Sequence, residues 1–133
     1  MTEIAVALLR LPDGKVVFQR RDGSPRLSPH KLGFFGGHVE LDELPAKAMV
    51  RELGEETSLD AASLLLSHLM DFQLPSQVHG EADVDFHIYQ AVVPDANFAV
   101  YEGAGVEVYT REDALIRDDL SEAARYVLEH IEE

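Results

Sequence analysis

Cysteine is absent from this chain of 133 residues, which excludes disulfides and thiolate metal sites. No apolar run reaches the roughly eighteen residues that a membrane-spanning helix needs. Positive charge is scarce: 11 Lys and Arg stand against 25 Asp and Glu, a formal net charge of −14. Phosphate backbones repel a surface of that sign, so duplex nucleic acid is not an expected partner. The start, Met1-Thr2-Glu3, has no basic region ahead of a hydrophobic stretch, and the expectation is a soluble cytoplasmic protein without membrane attachment. Internal repeats, linkers and low-complexity tracts are also missing. The length suits one domain over 1–133, large enough to bury one good core. The histidines show no i,i+4 pairing of the zinc-site kind, and only His38 lies near the feature that stands out.

That feature is a cluster of glutamates. Glu52, Glu55 and Glu56 are three and four residues apart on a stretch with helical periodicity, so their side chains share one arc of helix surface. Like charges at that spacing repel by roughly 0.2–0.5 kcal/mol per pair. The helix is expected to end near Thr57 or Ser58, which sets Glu55 and Glu56 at the negative end of its dipole. A hard divalent cation with oxygen ligands would offset the repulsion. The competing reading is a solvated acidic face, with Arg51 pairing Glu55 and Glu43 pairing Lys47 at i,i+4.

The longer pattern favours the cation. Gly37, Glu43, Arg51, Glu52, Leu53, Glu55, Glu56 and Leu59 fall at the positions of G-x5-E-x7-R-E-U-x-E-E-x-G-U, where U is aliphatic. This resembles the signature of the Nudix hydrolases, and Ser58, in place of the usual glycine, is the departure. A glycine there would take the left-handed conformation that ends many helices, where serine costs on the order of 1 kcal/mol. The resemblance implies that Glu52, Glu55 and Glu56 hold Mg²⁺, with Mn²⁺ as a substitute, and that the Gly37 carbonyl is a further ligand. It also implies a buried ion pair between Glu43 and Arg51.

Coarse structure follows from periodicity. Strands are expected over 4–11, 16–20, 84–93 and 106–109, with turn-rich loops over 21–33 and 75–81; the pattern over 61–70 fits a short helix or a strand, and the resemblance implies a strand over 67–73. Pro45 suits the first turn of the acidic helix, in which Ala46, Met49, Val50 and Leu53 would face the core and leave the carboxylates on the other side. Thr110 caps a short helix, and a final helix is expected from Asp118 or Asp119 with Leu120, Ala123, Ala124, Val127, Leu128 and Ile131 as its apolar stripe. This order matches an α+β Nudix fold, a mixed β-sheet sandwiched between helices.

The activity the resemblance implies is Mg²⁺-dependent hydrolysis of a diphosphate linkage in a nucleoside di- or triphosphate-type substrate by metal-activated water. The candidate bases are the box glutamates Glu55 and Glu56 and the later Glu102, which is equally a candidate for an extra metal ligand; Glu81, Asp83 and Asp85 are weaker candidates. Arg20 and Arg21 are candidate phosphate contacts, and Phe34 or Phe35 could stack on a base. The expected partner is a small phosphorylated molecule, and relatives of this kind are frequently homodimers. The alternative function is a Nudix-like sensor that binds a nucleotide or metabolite without cleaving it; the intact glutamates argue against it.

Overall fold

The computed structural model describes residues 2–22, 30–76 and 80–131, so parts of the loops expected over 21–33 and 75–81 lie outside the described residues. Strand β1 (Thr2–Arg10) organises the fold. Its side chains alternate between two faces, and both faces are covered. Ile4, Val6 and Leu8 enter one core, and Ala5, Ala7 and Leu9 enter the other. The two alanines keep the second face low, which lets a helix approach the sheet closely.

The sheet has seven strands in the order β3-β2-β1-β6-β5, with β4 against β1 and β7 against β2. These are β2 (Val16–Arg20), β3 (Leu32–Gly33), β4 (Phe35–His38), β5 (Ser67–Leu74), β6 (Val84–Val92) and β7 (Gly105–Tyr109). Among the described residues β1 and β6 are the strands that pair in parallel; the other strand pairs are antiparallel. This is a mixed sheet in an α+β fold. One edge of β1 is shared: β4 pairs with Ile4 to Ala7, and β2 pairs with Leu9 and Arg10. The expected strands are present, and β3 and β4 are additional ones that flank Phe34 and lead into the acidic helix.

Helix α1 (Pro45–Glu56) covers the alanine face of β1 and β4, burying Ala48, Met49 and Leu53. Proline occupies its first turn, and no side chain caps it. Helices α2 (Arg111–Leu115) and α3 (Glu122–His130) cover the opposite face. Both have side-chain caps: Thr110 Oγ1 accepts from the Asp113 N–H at 3.1 Å, and Ser121 Oγ accepts from the Ala124 N–H at 3.2 Å. The last helix therefore starts later than Asp118 or Asp119. Asp119 is drawn into ion pairs with Arg20 and Arg117 instead, and a hydroxyl two residues on takes over the cap. Full burial of Leu8, Leu9, Phe18 and Phe35 contributes roughly 1.5–3 kcal/mol for each side chain. Among the described residues no helix is long and apolar enough to cross a membrane.

Candidate active site

The sheet and α1 meet over two glycines. Gly36 has φ +150°, and a Cβ there would lie 2.0 Å from the Ala5 carbonyl oxygen. At Gly37 a Cβ would lie 2.6 Å from the Glu52 carboxyl carbon. A strand without side chains at these points lets the Glu52 carboxylate rest directly on its backbone.

This close approach changes which face of α1 the glutamates occupy. Buried Ala48, Met49, Leu53 and Glu56 form one arc, whereas Ala46 and Val50 are exposed. Glu56 is 3% exposed, and Glu52 is half-buried beside it. The carboxylates are therefore not on the far side of the helix from the core. Their arc runs into the apolar stripe, and the glycines leave room for them. Only Glu55 faces solvent.

Burial sets their chemistry. The Glu56 carboxyl is pushed up to about 8, first by burial and then by Glu52 and Glu102, against a Gly36 backbone hydrogen bond and Arg21. Glu52 is raised too, by burial first, although Arg51 pulls it down. Glu56 Oε1 is buried with no hydrogen-bond partner. A buried carboxylate oxygen left unpaired is costly, so the site is built for a positive partner.

Arg51 ties the entry loop to the helix. Its Nε donates to Glu43 Oε2 at 2.8 Å, and its Nη2 donates to Glu43 Oε1 and to the His38 carbonyl, each at 2.9 Å. Nη1 reaches Glu52 at 3.0 Å and Glu55 at 3.2 Å. The pair with Glu43 is only partly buried, with side-chain exposures of 27% and 16%. Hydrogen bonds, above all from Arg51, hold the Glu43 carboxyl down at about 2.

Glu52, Glu55 and Glu56 line an open cleft of about 650 Å³ with Arg21, Glu102 and the two glycines. Glu102 arrives from the segment between β6 and β7, which is bound to the end of α1: the Tyr101 N–H donates to the Glu56 carbonyl at 2.7 Å. A narrower cavity of about 110 Å³ adjoins the cleft through Arg21, Gly36, Gly37 and His38, and is walled by Ile4, Val6, Phe34, Val84 and Phe86. Burial lowers the pKa of the Arg21 guanidinium, against the pull of Glu56, Asp22 and Glu102.

Two candidates lie elsewhere. Phe35 is fully buried in the core under α1, edge-on to Phe98, while Phe34 lines the narrow cavity. Arg20 points to the other face of the sheet, where it donates twice to Glu107, at 2.6 and 3.0 Å, and to Asp119 at 2.9 Å. Strand alternation is the cause, since neighbours on a strand cannot share a face. The same rule brings Gln19 to the cleft, a residue that sequence reasoning passed over.

Ser58 shows why its departure from glycine is tolerated. The helix ends at Thr57 in an extended conformation, φ −138° and ψ 165°, with Thr57 Oγ1 donating to the Leu53 carbonyl at 2.7 Å. Ser58 is not among the residues with positive φ. Its N–H donates to the Ala99 carbonyl at 3.0 Å, and its Oγ accepts from the Ala99 N–H at 2.8 Å.

The NUDIX domain family model matches residues 1–131. The chain belongs to this family. It is 31% identical to the 8-oxo-dGTP diphosphatase of Escherichia coli K12 over 75 residues, which are 56% of this chain and 57% of that protein. The match thus spans little more than half the length of that relative. The MutT protein of Methanosarcina mazei Go1 superposes with a TM-score of 0.81 at 22% identity, covering 96% of this chain and 90% of that one. The Escherichia coli dihydroneopterin triphosphate pyrophosphohydrolase does so with 0.75 at 18% identity, over 97% and 93%. At these identities the two structures speak for the fold alone.

Proposed function

We propose that this NUDIX domain, acting as one domain, hydrolyses a diphosphate linkage in a nucleoside di- or triphosphate-type substrate, with Mg²⁺ as cofactor and Mn²⁺ as a substitute. The observation that carries the reading is the orphaned Glu56 oxygen, buried beside Glu52 and across from Glu102 in an open cleft. Among the described residues, no three acidic or histidine side chains already converge as a closed metal cage. Magnesium does not require one, because it keeps several waters and takes substrate oxygens. The donor set therefore fits: Glu52, Glu56 and the Gly37 carbonyl would hold the ion, with Glu55 at the cleft margin.

When bound, the ion neutralises diphosphate charge and makes a bound water more acidic. The remaining work falls to the chain. Arg51 fixes Glu52 and the entry loop, so the carboxylates are pre-positioned before substrate arrives. Arg21, lining both cavities, is placed to meet phosphate oxygens. Glu102 faces the helix carboxylates and is the candidate acceptor of the water's proton. Phe34 and its apolar neighbours would receive the remainder of the substrate. Arg20, committed to Glu107 and Asp119, serves the fold instead.

The test is phosphate or pyrophosphate release from a panel of diphosphate compounds with and without Mg²⁺. Turnover that requires the ion and falls about tenfold or more in Glu56→Gln supports the reading. Binding of a nucleotide with no turnover under any divalent ion would assign the sensor role instead.

A further inference from the structure

Glu102 lies on an exposed turn, whose backbone would by itself be free to wander. Four contacts prevent this. The Tyr101 N–H is held by the Glu56 carbonyl at 2.7 Å, and the Ala104 N–H by the Arg20 carbonyl at 2.8 Å. Gly103, at φ +81°, presses so closely on β2 that a Cβ would lie 2.7 Å from the Arg20 carbonyl oxygen. The fourth contact comes from a side chain: Gln19 Nε2 donates to the Glu102 carbonyl at 3.1 Å.

Gln19 is 3% exposed and follows the apolar run Val16-Val17-Phe18 of β2. A buried amide replacing an aliphatic residue lowers stability unless its hydrogen bonds serve something. Its neighbours on the same side of the chain are Val17, inside the α1 core, and Arg21, just past the end of β2 and at the cleft. The amide therefore stands where core gives way to site, and the group it meets is the backbone of Glu102.

We propose that Gln19 is a positioning residue whose buried amide holds the Tyr101–Gly103 turn so that Glu102 faces Glu52 and Glu56 across the cleft. This rests on the reading of Glu102 as a participant in the reaction. The structural contribution of Gln19 is a single hydrogen bond to a surface turn, but its catalytic contribution is passed on through Glu102.

The test uses the full chain with Gln19→Met, which keeps the length of the side chain and removes the donor. The value of kcat is expected to fall about 10-fold to 100-fold, the range typical of partners that orient reacting groups, with KM changed less than about threefold. In a Glu102→Ala background the same substitution should cost nothing further. Hydrogen exchange of the amides of residues 101–104 should rise at least about tenfold in Gln19→Met, a readout that needs no substrate and stands even if no hydrolysis is found. Gly103→Ala, which disturbs the same turn from the other side, should reproduce both effects should Gln19→Met fold poorly. A Gln19→Met protein with wild-type kcat and exchange would overturn the proposal. So would a kcat loss that persists in full without Glu102. Wild-type turnover in Glu102→Ala, alongside a loss in Glu56→Gln, would also overturn it while leaving the hydrolase reading intact.

Discussion

Replacing Glu56 by glutamine removes a charge that the folded, metal-free chain holds unfavourably. The group is 3% exposed, and its pKa rises from 4.5 to about 8 on folding. A folded value above the unfolded one means that the native state binds more protons between the two. The resulting stabilisation is complete below the unfolded value and is lost as pH rises through the folded one. For these values the wild type should lose about 3 kcal/mol of unfolding free energy between about pH 5.5 and pH 8.5 that Glu56→Gln does not lose. Urea unfolding of both proteins in a chelator, at both pH values, measures this as a difference of differences, in which the carboxylates not coupled to Glu56 cancel. Adding Mg²⁺ at the higher pH should stabilise the wild type and leave the variant nearly unchanged, because an ion that binds only the native state raises stability by mass action. Parallel pH dependences in the two proteins, or equal Mg²⁺ stabilisation, would refute the reasoning.

Arg20→Met should destabilise the protein by about 1–3 kcal/mol, by leaving Glu107 and Asp119 without their shared partner, yet leave KM within about twofold because Arg20 faces away from the cleft. Chemical denaturation and steady-state kinetics together check this. Gly37→Ala should fold but lower turnover about tenfold or more, since its Cβ would occupy the place of the Glu52 carboxylate; unchanged kinetics would contradict that packing. Ser58→Gly, which restores the usual residue of the signature, should cost about 1 kcal/mol through the lost Ala99 hydrogen bond and added chain entropy. A stabilised Ser58→Gly variant would count against the extended helix end.

Period and punctuation made most of the fold legible. The apolar run of β1, the alternation of β6, the proline of α1 and the stripe of α3 all point to the elements found. Strands β3 and β4 are short and rich in glycine, so they carry no strand pattern of their own; they exist because β1 and β2 present open edges to them. The acidic signature located the cleft but not its depth. Helical spacing alone separates apolar from charged faces, and nothing in it says that glycines opposite would let Glu52 and Glu56 enter the apolar arc. Arg20 and Arg21 look equivalent as neighbours in a line of text, but a strand sends them to opposite faces, and counting by two along β2 selects Arg21 together with Gln19. The anchoring of Glu102 involves residues 83 positions apart in sequence, beyond the reach of local pattern.

The most direct measurement is calorimetric titration of the chelated protein with Mn²⁺, in the presence of a non-hydrolysable diphosphate analogue. Saturable binding in the wild type that is lost or weakened at least about tenfold in Glu56→Gln is the predicted result. Equal binding by the two proteins, or no ion taken up by either, would contradict the assignment of the buried glutamates to a metal-assisted diphosphate hydrolase.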